Sequence, residues 1–211
     1  MLSKKSAVMY FRKYKLCYPV LLIFLLTGCV SQQPIPEAEK NILWDLHSEK
    51  LAALSKWELA GRMSVQLEQE GWSAGLFWRQ DNDEYRLRIT APFGRGTVEI
   101  SGDADSVALR TAENQVFENN DIAELMQDKL GWEIPVTALI YWIRGLPDPG
   151  LETGLLELDD MGRITELYQS GWKVSYERYT NTPGYEVPSR LTLEREGLKL
   201  RLNITKWGIE S

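Results

Sequence analysis

Apolar and polar residues alternate with a period of two along most of this chain. The clearest run covers residues 57–68, in which Trp57, Leu59 and Val65 alternate with polar side chains. Successive side chains of a strand point to opposite faces, so the pattern predicts strands with one apolar face. Similar runs predict further strands at residues 72–78, 85–90, 98–101, 107–111, 155–158, 164–168, 172–179, 191–194 and 198–206.

Short polar turns between these runs predict antiparallel neighbours. Asp81-Asn82-Asp83 separates the second run from the third, and Gly102-Asp103-Ala104-Asp105 separates the fourth from the fifth. A sheet of about ten or eleven strands with one apolar face must curl or pack against itself to bury that face. The predicted fold is therefore mainly β (α+β), an incomplete antiparallel barrel of about 11 strands.

Three helices are predicted among the strands. The first covers residues 44–54 and is amphipathic; the second covers residues 121–130, where Asp121 and Glu124 form a capping box. The third begins at Pro135 and ends at Gly145. The second and third helices are the predicted elements that can cover the apolar face, so we expect a helical lid enclosing an apolar cavity in a single domain, residues 41–211.

The amino terminus has the features of an exported protein. A lysine-rich start is followed by an apolar run at residues 18–26, which is shorter than the roughly 20 residues that a membrane-spanning helix needs. Residues 1–28 are therefore predicted to be a signal peptide. The string Leu26-Thr27-Gly28-Cys29 resembles a bacterial lipobox, so we expect cleavage before Cys29 and acylation of that cysteine.

The expected mature chain begins with a lipidated terminus and tether, residues 29–40. Each buried methylene contributes about 0.8 kcal/mol, so an anchor of several acyl chains binds a membrane durably. Val30 stands where enteric-type bacteria use aspartate to retain lipoproteins at the inner membrane, so we expect an anchor on the periplasmic face of the outer membrane. Cys17 is lost with the signal peptide and Cys29 is acylated, which leaves no cysteine pair for a disulfide.

The charge of the mature chain restricts its partners. Removing residues 1–28 takes away five of the 24 basic residues and none of the 30 acidic residues, so 19 basic residues face 30 acidic ones and the formal charge is −11. This charge argues against binding nucleic acid and against electrostatic attraction to anionic lipid headgroups. Contact with a membrane must therefore be mainly hydrophobic.

One string matches a catalytic motif. Gly71-Trp72-Ser73-Ala74-Gly75 has the G-x-S-x-G pattern of hydrolases, but a strand-like run follows it and the single histidine, His47, lies upstream of the serine. We expect His47 on the surface of the first helix. The sequence contains no zinc-ligand pattern and no nucleotide-binding motif, so we predict no enzyme, metal or cofactor, with an esterase at Ser73 as an alternative.

The chain has eight tryptophans, and aromatic residues line both packed cores and ligand cavities. Both interpretations stay open on the sequence alone. If a cavity is present, strand parity predicts that it is lined by Trp57, Leu59, Met63, Val65, Leu76, Trp78, Leu87, Ile89, Ile140, Trp142 and Trp172.

The segment Pro92-Phe93-Gly94 ends one strand and turns the chain. Turn residues are normally polar because water surrounds them, so an apolar Phe93 at the tip is a candidate contact residue. The alternative is that Phe93 folds back into the core.

Several short strings together resemble the LolB family of outer-membrane lipoprotein receptors, and they cover nearly the whole mature chain. The strings are Gly61-Arg62, Phe77-Trp78-Arg79-Gln80, Tyr85-Arg86-Leu87, Pro92-Phe93-Gly94, Ile134-Pro135-Val136, Trp142-Ile143-Arg144-Gly145-Leu146-Pro147, Gln169, Gly171-Trp172-Lys173-Val174 and Trp207.

The resemblance implies an open eleven-stranded barrel whose apolar cavity holds the acyl chains of client lipoproteins. It also implies that clients come from LolA, a soluble periplasmic carrier, and are inserted into the outer membrane without nucleotide hydrolysis. The family usually has P-L-G at the turn that reads Pro92-Phe93-Gly94 here, with the leucine serving membrane insertion. We expect Phe93 to take that role and the protein to be a monomer. The alternative is a lipid-binding or scaffolding lipoprotein with no transfer activity.

Overall fold

The computed structural model describes residues 35–68, 70–91, 96–103, 105–119 and 135–209. These residues all belong to the compact unit Ile35–Ser211. The predicted signal peptide, Cys29, the Pro92-Phe93-Gly94 turn and the predicted helix at residues 121–130 lie outside the described residues.

The described residues form two helices and eleven strands. The helices are α1 (Glu37–Ala52) and α2 (Val136–Trp142). The strands are β1 (Lys56–Leu67), β2 (Gly71–Asp81), β3 (Glu84–Thr90), β4 (Thr97–Gly102), β5 (Val107–Arg110), β6 (Val116–Asn119), β7 (Thr153–Leu158), β8 (Ile164–Gln169), β9 (Trp172–Thr182), β10 (Tyr185–Arg195) and β11 (Leu198–Ile209).

All eleven strands belong to one antiparallel sheet in the order β6-β5-β4-β3-β2-β1-β11-β10-β9-β8-β7. The first and last strands of the chain, β1 and β11, lie side by side at its centre. Strands β6 and β7 are the two edges and do not pair with each other, so the sheet is not closed. The predicted mainly β fold, an incomplete antiparallel barrel of about 11 strands, is confirmed.

One face of the sheet carries the core. In β3 the alternation is complete, with Tyr85, Leu87 and Ile89 buried and the intervening side chains exposed. Helix α2 packs on this face, because its residues Leu139 and Trp142 belong to the same apolar cluster as the strand residues. We call this buried side of the sheet the inner face.

Three elements differ most from the predictions. Strand β6 was not predicted, because it is only four residues long and all four of its side chains are exposed or half-buried. Strand β10 begins at Tyr185 rather than at residue 191, because Pro188 and two register shifts disguise its first half. Helix α1 begins at Glu37 rather than at Trp44, so residues 37–40 of the predicted tether are helical.

The first helix was predicted to be amphipathic. In the structure only some of the apolar residues of α1 are covered by the rest of the protein. The helix packs through a stripe that includes Trp44, His47 and Leu51 at helical spacing, and only Leu51 is fully buried. Leu46 lies outside that stripe and is 64% exposed.

Candidate functional site

The eleven residues predicted to line a cavity lie together in the structure. Ten of them are buried members of one apolar cluster on the inner face, and Ile140 of α2 is half-buried against the same cluster. The strands that contribute these residues therefore bury the side chains that parity assigned to the apolar face. That these residues bind acyl chains stays a prediction.

The tryptophans of the inner face form two groups. Trp57 lies between Trp78 and Trp207, with ring centroids 5.6 Å away on each side. Trp142 of α2 and Trp172 of β9 form a second pair at 6.1 Å. Tilted aromatic pairs at these distances contribute beyond the area they bury, so both groups stiffen the inner face.

Trp57 also carries an unusual polar atom. Its indole Nε1 is buried and has no hydrogen-bond partner within the described part of the chain, whereas Trp78 Nε1 donates to Gln80 Oε1 at 3.2 Å. A buried donor without an acceptor is unfavourable, so this indole N–H is a weak point of the local packing.

Helix α2 is fastened to the sheet at its carboxyl end through Gln169, which is 1% exposed. Gln169 Oε1 accepts hydrogen bonds from Trp142 Nε1 at 2.7 Å and from the backbone N–H of Asp148 at 2.9 Å. Its Nε2 donates to the Asp148 carbonyl, the Leu151 carbonyl and the Thr153 hydroxyl. One side chain thus joins the end of α2, the loop after it and the β7 edge.

Two buried tyrosines strengthen the same region. Tyr176 donates its hydroxyl hydrogen to the Trp142 carbonyl at 2.8 Å, and Tyr179 donates to the Ile164 carbonyl at 2.8 Å. Burial raises the pKa of Tyr176 well above its usual value, so the phenol stays protonated and remains a donor.

Arg144 joins the two helices. The residue is 5% exposed, and its Nη1 donates to the Leu51 and Leu54 carbonyls at the carboxyl end of α1, while its Nε donates to the Ile140 carbonyl of α2. Neither Arg144 nor Gln169 has a role that the sequence alone predicts. Each could have been identified as a long polar side chain at a position where the surrounding pattern requires an apolar residue.

One open cleft among the described residues is polar. A cleft of about 700 Å³ lies at the ends of β2, β3, β4 and β5, and its lining includes Arg79, Glu84, Arg86 and Asp103. Burial raises the pKa of Tyr85, which also lines the cleft, to about 12. Because most of its lining is charged or polar, this cleft does not suit an acyl chain.

Part of the inner face is closely packed. Trp78, Trp142, Ile143 and Leu191 have no exposed surface. An apolar ligand can contact these four side chains only if their neighbours move apart.

The two residues considered for catalysis, Ser73 and His47, do not have the arrangement of a hydrolase site. Ser73 is inside β2, opposite Ser64 of β1, so it is not on the strand-to-helix turn that a nucleophile elbow requires. His47 was expected on the surface, but it is half-buried and its Nε2 has no partner among the described residues. Burial lowers the pKa of His47 from its usual value, which keeps the ring neutral near pH 7.

Two further features bear on the type of site. No group of three or more potential metal ligands occurs in the ranges that the structure describes. None of the described helices combines the length and apolar character needed to cross a membrane.

The residues that flank the Pro92-Phe93-Gly94 turn are described. The backbone N–H of Ala91 donates to the Gly96 carbonyl at 3.0 Å, which closes the connection between β3 and β4 at its base. The direction of Phe93 stays a prediction, because the turn itself lies outside the described residues.

Comparison with solved structures defines the class of fold. The chain resembles a LolA superfamily protein from Nitrosomonas europaea with a TM-score of 0.52 at 9% sequence identity, over 82% of this chain and 94% of that one. At this identity the likeness concerns the fold alone. The open antiparallel sheet with a helix across its inner face is thus a fold that this chain shares with that protein.

Comparison with sequences defines the family. The model of the family "Outer membrane lipoprotein LolB" matches residues 55–207. The outer-membrane lipoprotein LolB of Nitrosococcus oceani is 35% identical over 89% of this chain and 94% of its own length. The LolB of Pseudomonas savastanoi pv. phaseolicola is 35% identical over 88% and 92%, respectively. The chain therefore belongs to the LolB family.

Proposed function

We propose that this protein receives acylated lipoproteins from a LolA-type periplasmic carrier and inserts them into the outer membrane without hydrolysing a nucleotide. Membership of a family of outer-membrane lipoproteins supports a role in lipoprotein localisation. The structural observation that carries the proposal is the continuous apolar inner face of a sheet that does not close.

The chemistry of the client explains why such a face is needed. An acyl chain of about 14 methylenes costs on the order of 10 kcal/mol to expose to water, so a lipoprotein does not cross the periplasm unaided. The inner face offers tryptophan, leucine and valine surface that can replace water around the chain.

Transfer without nucleotide hydrolysis must run downhill in free energy. The client then moves from carrier to receptor to bilayer because each successive site binds its acyl chains more tightly. The receptor must accordingly bind the chains more tightly than the carrier and less tightly than the membrane. A densely packed inner face that has to open serves this purpose, because the cost of opening limits the affinity for the chain.

The position of α2 indicates where the inner face opens. Its carboxyl end is held by Gln169, Tyr176 and Arg144, whereas its amino end has no side-chain cap. Ile140 is half-buried along the same helix. We infer that the acyl chain enters beneath the amino-terminal part of α2 while the carboxyl end stays attached to the sheet.

Two sites outside the described residues complete the proposal. Acylated Cys29 anchors the protein to the periplasmic face of the outer membrane. Phe93 at the β3–β4 turn contacts the bilayer and assists insertion, since an aromatic side chain is favourable at a membrane interface.

A transfer assay tests this function. The mature acylated protein is placed in liposomes, and a LolA-type carrier loaded with an acylated client is added. We expect transfer of the client to the liposomes, and we expect Phe93→Glu to retain client binding but to slow transfer, while Phe93→Leu transfers normally. Unchanged transfer by Phe93→Glu would remove the role of the turn, and no transfer by the unaltered protein would refute the function.

The dense packing of the inner face favours one alternative, a lipid-binding or scaffolding lipoprotein that transfers nothing. The same assay with an unacylated client separates the two possibilities. A receptor binds the acylated form selectively, whereas a scaffold that recognises the folded part of its partner binds both forms equally.

A further inference from the structure

We propose that the outward face of α1, with the neighbouring turn between β7 and β8, rests on the surface of the bilayer that holds the protein. This inference rests on the acyl anchor at Cys29 in the proposed function. The docking surface consists of Ile42, Leu43, Leu46 and Met161, and we call it the α1 patch.

The α1 patch is apolar and open. Ile42 is 62% exposed, Leu46 is 64% exposed and Met161 is 58% exposed, while Leu43 is 36% exposed. Ile42 and Leu46 are four residues apart and therefore adjacent on the helix surface. Single exposed apolar residues are common, but several large ones on one helix face and the turn beside it mark a contact surface.

The turn is held firmly against α1, which makes the two a single surface. A Cβ atom at Gly162 would lie 2.5 Å from the Cβ of Leu43, so only glycine allows this approach. Lys40 of α1 forms an ion pair of 3.1 Å with Asp160 of the turn. Met161 lies between these two contacts in sequence and is thereby kept beside the helix.

The opposite side of α1 is already occupied. His47, Lys50 and Leu51 border the turn between β9 and β10, where Lys50 Nζ lies 5.3 Å from the ring centroid of Tyr185. The helix thus crosses the end of the sheet at which β8, β10 and β1 begin. Its exposed face points away from the sheet.

The short segment between Cys29 and α1 indicates that the bilayer is the surface that covers the α1 patch. Cys29 precedes Glu37, the first residue of α1, by eight residues, and a fully extended segment of that length spans at most about 28 Å. The helix is itself about 24 Å long. An acylated Cys29 therefore keeps α1 within a short distance of the bilayer, where its apolar side chains lose their contact with water.

The charges on α1 specify the kind of lipid. Glu39, Asp45 and Glu49 are exposed on the helix. Acidic side chains gain nothing from anionic headgroups, so the contact is hydrophobic and suits a surface rich in zwitterionic phosphatidylethanolamine.

Docking through α1 also fixes the orientation of the sheet. Strand β3 runs away from the end that α1 crosses, because Glu84 pairs with Asp81 and Asp81 pairs with Lys56 near the end of α1. The base of the β3–β4 turn, where Ala91 bonds Gly96, is at the other end of β3. In the docked state this turn faces the periplasm, and the protein must tip over to bring it to the membrane.

The test uses the mature acylated protein in phosphatidylethanolamine-rich liposomes that contain brominated lipid. A fluorophore is attached at Met161→Cys and, as a control, at Arg201→Cys, which lies on the exposed face of β11, away from both α1 and the β3–β4 turn. We expect brominated lipid to quench the label at position 161 and to leave the label at position 201 unquenched. Ile42→Glu with Leu46→Glu should abolish the quenching, and the charge-matched pair Gln66→Glu with Gln115→Glu, at exposed positions away from α1, should retain it.

Other outcomes overturn the proposal in distinguishable ways. Normal client transfer with an unquenched label at position 161 refutes docking through α1 and leaves the proposed function intact. A label that responds to protein density but not to brominated lipid shows that a second copy covers the patch. A protein that fails to stay on the liposomes lacks the anchor, and then both proposals fail.

Discussion

The Arg144 guanidinium donates a hydrogen bond of 2.8 Å to the Leu54 carbonyl, just beyond the end of α1. The last carbonyls of a helix have no partner within the helix, and they carry partial negative charge. Arg144 donates to the carbonyl of Leu51, in the last turn of α1, and to the carbonyl of Leu54 just beyond it, and these acceptors stabilise its buried charge. Burial lowers the pKa of Arg144 from its usual value, yet arginine remains protonated in proteins.

Replacing Arg144 should therefore loosen α1 and α2 together. Arg144→Met keeps the apolar length of the side chain but removes the hydrogen bonds from Arg144 to the Leu51, Leu54 and Ile140 carbonyls, of which Leu51 keeps the Leu54 N–H. We expect the free energy of unfolding to fall by about 2–4 kcal/mol in urea denaturation. The exposed Arg62→Met is the control and should change little. A loss as small as that of the control would contradict this account of Arg144.

A second prediction concerns the replacement of Gln169. Gln169→Met has a similar volume but leaves Trp142 Nε1 and the Asp148 N–H without an acceptor. We expect a loss of about 2–3 kcal/mol in unfolding free energy and faster hydrogen exchange at the end of α2. Gln66→Met, at an exposed position of β1, serves as the matched control. Unaltered exchange in α2 would show that Gln169 does not hold the helix.

The sequence predicted the inner face well because burial imposes a strict period of two on each strand. It did not predict the bulge between β1 and β11, where Ala60 pairs with Lys206 and Gly61 pairs with Ile204. The additional residue, Thr205, shifts the alternation of β11, so Ile204 and Trp207 both face the core. Such a shift depends on the register with a neighbouring strand, which the pattern of one strand does not contain.

The bulge predicts an unequal response of two glycines. A Cβ atom at Gly61 would collide with the Asn203 carbonyl oxygen and lie 2.9 Å from the Ile204 Cα, both of which are backbone atoms. At Gly75 of β2 the nearest atom would be 3.8 Å away. We expect Gly61→Ala to lower the unfolding free energy by about 2 kcal/mol or more and Gly75→Ala to be nearly neutral. Equal effects of the two substitutions would contradict this.

The turn beside α1 predicts a dependence on pH. Burial alone would raise the pKa of Asp159, but hydrogen bonds from the Arg163 side chain and from the backbone N–H groups of Arg163 and Met161 outweigh it and hold the pKa below its usual value. A carboxyl with a lowered folded-state pKa stabilises the protein above its unfolded pKa of about 3.9 and loses this contribution as the pH falls through the folded value.

Asp159→Asn measures that contribution. We expect the variant to be less stable than the unaltered protein by about 1 kcal/mol at pH 7, since the pair is partly exposed, and the difference to shrink as the pH is lowered below 4. Urea unfolding at a series of pH values provides the measurement. A difference that grows as the pH falls would have the wrong sign for this account.

The helical contacts were harder to predict than the strands. Arg144 and Gln169 act between elements that are far apart in sequence, with 90 residues between Arg144 and Leu54. Short-range patterns describe which face of an element is buried, but not which carbonyl a long side chain reaches. The buried stripe of α1 was not predicted for the same reason. The turns that pack on α1 are distant in sequence, and they determine which of its apolar residues are covered.

The central claim is that the acyl chain of a client lies on the inner face of the sheet, beneath α2. Photocrosslinking tests it most directly, with benzoylphenylalanine at Ile140 on α2 and, as a control, at Arg86 on the exposed face of β3. Exposure to a carrier loaded with acylated client should give a crosslink to the acyl chain at position 140 and none at position 86. No crosslink at position 140, or one formed equally with unacylated client, would contradict the claim.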